Sequence, residues 1–491
     1  MSRDFNREML SFIEKSPSCF HVIQNLRERL DGEGFEALDE RGDWKARGGI
    51  RNGGKYYVSR NDSSLIAFQI PMVEPKGFHI VASHSDSPSF KIKEHPGMEV
   101  EGHYIRLNTE KYGGMILSTW LDRALSVAGR VAVKEGGRIV TKLVNIDKDL
   151  LVIPNLAIHM NHEINRGMEY NPQVDMLPLY ACCGVLCSHD SSEGADVGCS
   201  EVDCADESAG IGKAGSESVG KSVSADSVRD LLLQEVAETV GVDAAEILGH
   251  DLFLYAREKG RVLGRDGAFV LSPRLDDLQC VFASMEAFLA GSPEEYISLC
   301  AVFDNEEVGS GTKQGADSTF LEDVIARVSE GLCSGKDEDV AQDGTARQGE
   351  ISRQSSLTFM RRMIADSFLI SADNAHAVHP NHPEKADPTN RPYLNGGIVI
   401  KYHGSQKYTT DALSAARMKD LCVRAGVPFQ TYANRSDIAG GSTLGNISTA
   451  HVSVPSVDIG LPQLAMHSAV ETAGSRDTEY AVRALRVFFE E

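Results

Sequence analysis

Short apolar runs bounded by turn residues recur along this chain, and charged side chains follow them closely. Phe78 to Ala82, Ile297 to Phe303, Phe368 to Ile370 and Val457 to Ile459 are such runs, rich in branched side chains. A continuous apolar run of this length reads as a strand buried on both faces, the kind found in α/β sheets. Tyr56 to Val58 and Leu65 to Phe68 predict two further strands. Near the start, Phe5, Leu10, Phe12 and Ile13, then Phe20, Val22, Ile23 and Leu26, fall at helical spacing. Pro17 interrupts them, so the pattern predicts two helices. A third amphipathic helix is predicted from Ser227 to Val240. From about residue 261 onward, strand and helix patterns alternate again.

Two stretches break this rhythm. Residues 93–187 carry short strand-like pieces, such as Leu143 to Ile146 and Leu150 to Ile153, without a long helical pattern. Residues 188–226 are Ser, Gly, Asp and Glu with few large apolar side chains, which predicts a disordered loop. A second polar insertion is expected at about 334–355. The division that follows is a catalytic domain in two parts, 1–92 and 261–491, interrupted by a β-rich insert at 93–260.

Length and charge narrow the function classes. With 491 residues the chain exceeds one ordinary core. No stretch reaches the ~20 apolar residues of a membrane helix, and the polar N-terminus lacks the apolar segment of a signal peptide. A soluble, cytoplasmic protein with no membrane partner is the expectation. The net charge of −22 argues against nucleic acid as a partner. Ten cysteines are scattered without a Cys-x-x-Cys pair, so they read as idle or buried thiols. Gly215 to Ser222 fits the phosphate-loop pattern letter for letter, but the polar residues before it cannot form the strand that such a loop requires.

The candidate chemistry lies just past the buried runs. His84 and Asp86 follow the first, Glu306 and Glu307 the second, Asp373 and His376 the third, and His467 comes shortly after the fourth. Asp276 and Asp277 follow Phe269-Val270-Leu271 and a Ser-Pro-Arg turn. Ligand-binding groups in open α/β sheets gather beyond the carboxyl ends of the strands. Adjacent carboxylates there are costly to bury unless cations compensate them. Mixed imidazole and carboxylate donors suit zinc, and also cobalt or manganese. In Glu306-Glu307, one side chain can hold a metal while its neighbour faces a water, the arrangement of metal-assisted hydrolysis.

Five segments, taken in order, resemble one family. His84-Ser85-Asp86-Ser87-Pro88, Ser272-Pro273-Arg274-Leu275-Asp276, Asp304-Asn305-Glu306-Glu307-Val308-Gly309, Ser371 to Pro380 and Gln463 to Ser468 look like the aspartyl aminopeptidases of the M18 metallopeptidases. The resemblance implies a mixed-sheet α/β zinc-exopeptidase domain, with the insert serving dimerisation and the dimers building a homododecamer. It implies two zinc ions per subunit and cleavage after an N-terminal Asp or Glu of peptides. Carried over residue by residue, His84, Asp276, Glu307, Asp373 and His467 bind metal, with Asp276 bridging, and Glu306 is the general base. Asp86 stands behind the metal, and His159, His376, Lys401 and Tyr408 contact substrate. Asp277 departs from the family, which often has Asn there. Two other readings remain open: a broader aminopeptidase or endoglucanase-like relative with the same centre, and a scaffold that has abandoned catalysis.

Overall fold

The computed structural model describes residues 3–45, 49–182, 225–334, 348–438, 440–441 and 443–491. Most of the 188–226 loop, with the Gly215 to Ser222 match, lies outside the described residues, as does 335–347. The chain divides into two compact units. The first comprises Met1–Ser89, Tyr112–Thr119 and Glu258–Glu491, and the second Phe90–Lys111 and Trp120–Arg257. The sequence division placed Tyr112–Thr119 in the insert, whereas these residues belong with the first unit.

The first unit is built on a nine-stranded sheet whose strands we label β1–β9: Glu36–Ala37, Lys55–Arg60, Ser64–Gln69, Phe78–His84, Ile297–Phe303, Phe368–Ala372, Ile398–Tyr402, Phe429–Ala433 and Ser456–Gly460. Their spatial order is β1-β2-β3-β5-β4-β6-β9-β7-β8. The central strands β5, β4, β6 and β9 run parallel, while β3 and β7 join them antiparallel, so the sheet is mixed. Every residue of β4, β5 and β6 is buried. Side-chain alternation splits them between two cores. Ile80, Ala82, Leu299, Ala301 and Leu369 face one, where the helices Phe320–Ser334 and Gln348–Ala365 pack. Val81, Cys300, Val302 and Ile370 face the other, beneath the helices Leu275–Ala290, Ala412–Ala425 and Asp477–Phe489.

The expected elements are present with two corrections. The N-terminal helices span Phe5–Glu14 and Cys19–Gly32, and the third predicted helix spans Ala225–Val240. The polar insertion expected to reach 355 is cut short, because the helix Gln348–Ala365 begins inside it. Phe359, Met360, Met363 and Ile364 bury that helix's later turns. Polar residues ahead of them do not stop a helix, so composition misplaced the boundary. Leu150 to Ile153, expected as a strand, makes only isolated bridges from Leu151 and Val152. The second unit otherwise holds a six-stranded sheet in which Ile247–Ala256 pairs antiparallel with Leu125–Glu135. No helix among the described residues is long and apolar enough to cross a membrane.

One buried histidine ties the sheet to the C-terminal helix. His79 of β4 is stacked between Tyr296 and Phe488, with ring centroids 4.0 and 4.3 Å away. Arg417 donates to its Nε2 at 2.8 Å, so Nδ1 must carry the proton and donate to the Phe488 carbonyl at 2.8 Å. Burial, reinforced by the Arg417 charge, pushes its pKa down to about 4. The unfolded chain then binds the extra proton first, so this group's stability is complete above ~6.5 and is lost as pH falls towards 4, by up to about 3 kcal/mol. His79→Gln is expected to flatten that acid slope by about one proton in urea midpoints taken from pH 7 to 4.5. An unchanged slope would remove His79 from the account.

Candidate metal centre

Five chain segments bring side chains to one end of the sheet, and three of them hold a non-glycine residue in the left-handed region. Arg274 (φ 55°) precedes Leu275-Asp276, Asn305 (φ 63°) precedes Glu306, and His467 itself has φ 67°. Such conformations cost energy and concentrate at functional sites. Here they aim side chains that a regular strand or helix would point elsewhere. His84 closes β4 and Asp373 directly follows β6. Asp276 and Asp277 open the helix Leu275–Ala290 with non-helical backbone angles, and the peptide between them is cis.

The donors converge in overlapping groups. Ligand atoms of His84, Asp276, Asp277 and Asp373 lie within 4.8 Å of one another, as do those of His84, Glu306 and Glu307, and those of Asp276, Glu307 and His467. Asp276 joins the first group to the third. Its Oδ1 is 3.6 Å from His84 Nε2 and its Oδ2 is 3.4 Å from His467 Nε2. His467 Nε2 is also 3.4 Å from Glu307 Oε2, and His84 Nε2 is 4.0 Å from Asp373 Oδ1. Asp276 Oδ1, Asp277 Oδ1 and Glu307 Oε1 are buried without a hydrogen-bond donor among the described residues. Buried carboxylate oxygens in that state call for a cation. Two imidazoles with several carboxylates make a donor set that fits zinc.

The imidazoles are oriented from behind. His84 Nδ1 donates to the Asp86 carbonyl at 3.1 Å, and His467 Nδ1 to the Gly114 carbonyl at 2.8 Å. Each bond leaves Nε2 free to face the cluster, as metal-binding histidines require. Asp86 also accepts the backbone N–H groups of Glu306 and Glu307 at 3.1 and 3.2 Å and the Tyr112 hydroxyl at 2.8 Å. Tyr112 and Gly114 belong to the returning segment 112–119, which further bonds Ile116 N–H to the His467 carbonyl at 3.0 Å. Gly113 has φ 80°, which strains any other residue, and a Cβ there would crowd that of Glu307 at 3.1 Å.

Charge crowding appears in the titration of these groups. Desolvation opposes ionisation of Asp276, yet the imidazoles of His467 and His84 facing it hold it well below the usual carboxylate range. Burial, with Asp373, Asp86 and Asp276 nearby, pushes Glu306 up to about 8. Burial likewise raises Glu307 and Asp373.

The cluster thus gathers His84, Asp276, Glu306, Glu307, Asp373 and His467, with Asp86 behind them. It adds Asp277, which the sequence reading left outside the ligand set and which also accepts the His84 backbone N–H at 3.2 Å. Sequence reasoning missed Glu471, a buried carboxylate that accepts the N–H of Asp276 at 3.0 Å and of His467 at 2.7 Å. Lys401 is 3% exposed, with Nζ 3.5 Å from Asp373 Oδ2 and 5.6 Å from the Tyr408 ring centroid. Tyr408 and His376 line a pocket of about 310 Å³ shared with Tyr432, Asn434, Lys385 and Arg435. His159 lies in the second unit, exposed in a turn. Because Tyr112 supports Asp86, Tyr112→Phe is expected to weaken zinc binding ~10- to 100-fold in competition with a chelator. Unchanged affinity would show that Asp86 holds its place without the hydroxyl.

Known proteins resemble the chain over its full length. The family described as Aminopeptidase I zinc metalloprotease (M18) matches residues 12–489. A probable M18 family aminopeptidase 2 of Clostridium novyi is 43% identical over 490 residues, covering 99% of this chain and 98% of that one. Its counterpart in Ectopseudomonas mendocina is 36% identical over 492 residues, covering 100% and 99%. Among solved structures, that of the Ape4 and Nbr1 complex superposes with a TM-score of 0.83 at 33% identity, covering 99% of this chain and 85% of that one. The S. cerevisiae mApe1 dodecamer does so at 0.76 and 26%, covering 99% and 97%. A matched family spanning nearly every residue, joined to a buried cluster that can hold metal ions, establishes that the chain belongs to the M18 family of zinc metallo-aminopeptidases.

Proposed function

We propose that this aminopeptidase removes an acidic first residue, Asp or Glu, from peptides, with Glu306 as general base. The observation that carries the specificity is the buried ammonium of Lys401 beside Asp373 and Tyr408, next to a pocket that also bears Lys385 and Arg435. A cation held there favours a carboxylate side chain over a neutral one.

In this reading His84, Asp276 and Asp373 hold one zinc ion, and Asp276, Glu307 and His467 hold the other. Bound zinc supplies Lewis acidity, lowering the pKa of a water towards ~7 and polarising the scissile carbonyl. Glu306 accepts the water's proton and returns it to the leaving amine, work typically worth ~100- to 10,000-fold. A carboxylate of the cluster pairs with the free α-amino group of the substrate, which confines cleavage to the first residue. Tyr408 and His376 contact the substrate from the pocket wall. Self-association into a homododecamer follows from likeness to the mApe1 dodecamer.

One observation favours a second reading. Lys401 is nearly inaccessible and already lies against Asp373, so it could serve the centre alone, in an enzyme of broad specificity. Peptides beginning with Asp, Glu, Ala and Leu separate the two. The wild type is expected to release Asp and Glu at least tenfold faster, and Lys401→Ala to lose that margin selectively. An equal loss on all four peptides supports the broad enzyme. Glu306→Gln should retain zinc while turnover drops at least a hundredfold, and retained turnover would cancel its assignment. A monomer mass in solution would overturn the assembly.

A further inference from the structure

The carboxylate of Asp458 is fully buried, in the interior of β9, yet no cation lies within ion-pair distance of it among the described residues. An ionisable group in a strand core demands several donors. Asp458 Oδ2 accepts both the backbone N–H and the hydroxyl of Thr409, at 2.6 and 2.8 Å. Its Oδ1 accepts the Thr443 hydroxyl at 2.5 Å, and its own N–H donates to the Thr410 hydroxyl at 2.9 Å.

These partners come from two separate walls of the pocket next to Lys401. Thr409 directly follows Tyr408, which lines it, and Thr443 stands just after Gly440 and Gly441, which also line it. A second bond crosses between the same walls, from Lys407 Nζ to the Gly440 carbonyl at 2.7 Å. Thr443 precedes the helix Leu444–His451 at the capping position but makes no side-chain cap, its hydroxyl being spent on Asp458. Gly445 leaves the carboxylate its space, since a Cβ there would come within 2.6 Å of Oδ1. The surroundings are therefore arranged around this carboxylate.

We infer that Asp458 is a specificity-positioning residue, clamping the Tyr408 and Gly440 walls into the shape that holds the first side chain of the peptide, which it does not itself touch. This rests on the pocket being the seat of that side chain, as proposed above. Asp458→Asn keeps the size but replaces one acceptor oxygen by an amide donor, so one threonine hydroxyl must turn round to accept and the charge-assisted bonds are lost.

The test compares wild type, Asp458→Asn and the milder Thr443→Val as zinc-loaded enzymes on the Asp, Glu, Ala and Leu peptides, with melting temperature and zinc content measured alongside. Expected for Asp458→Asn is a KM at least tenfold higher for the preferred peptides, kcat within threefold, and zinc content unchanged. Thr443→Val should raise KM to a lesser degree. A kcat loss at unchanged KM, or KM within twofold of wild type in both variants, overturns the inference. Should Asp458→Asn fail to fold, Thr443→Val decides alone. Wild-type enzyme with no acidic preference instead sinks the specificity reading, and the KM shift on whichever peptides it cleaves still judges the clamp.

Discussion

A single carboxylate, Asp276, faces two imidazoles, one from each side, and the rest of the first unit is arranged so that it can. His84 arrives at the end of a central parallel strand, His467 from a loop beyond the last one, and Asp276 from the mouth of a helix packed across the sheet. None of these positions is adjustable alone. The backbone N–H of Asp276 and that of His467 are pinned to the two oxygens of Glu471, so this carboxylate and one of the imidazoles it faces share a common mount. Buried charge of this density is tolerable only when opposite charge and donors surround it, which makes the fold and the cation site mutually dependent.

Much of this was legible in the chain because strand burial and site chemistry coincide. His84, Glu306, Glu307 and Asp373 each stand just past a continuous apolar run, where a charged residue cannot be core and where ligands gather. Other participants left no such mark. Glu471 opens a short strand, Glu-Thr-Ala-Gly, with no long apolar run before it to mark it. Gly114 contributes only a carbonyl, which no side-chain pattern can announce. Tyr112 sat in a stretch attributed to the insert, because strand-like segments on either side hide its return. Asp458 did carry a signal, a lone acid inside Val457-Asp458-Ile459, but it was absorbed into the apolar run.

Lys401 illustrates the limit of reasoning from residue type. Its residue type suits a solvated surface, and yet it is buried. Burial, however, brought it against Asp373 as well as Tyr408, so one ammonium serves both the charge balance of the cluster and the neighbourhood of the pocket. Sequence can nominate a cation but not divide its attention.

The returning segment 112–119 has a consequence for how this architecture is inherited. It is encoded between two arms of the second unit, yet its tyrosine and a glycine carbonyl brace the two imidazoles. The second unit is therefore not a detachable cassette. Excising everything between residues 90 and 257 would spare every strand of the nine-stranded sheet and still take away the buttress of the site it carries.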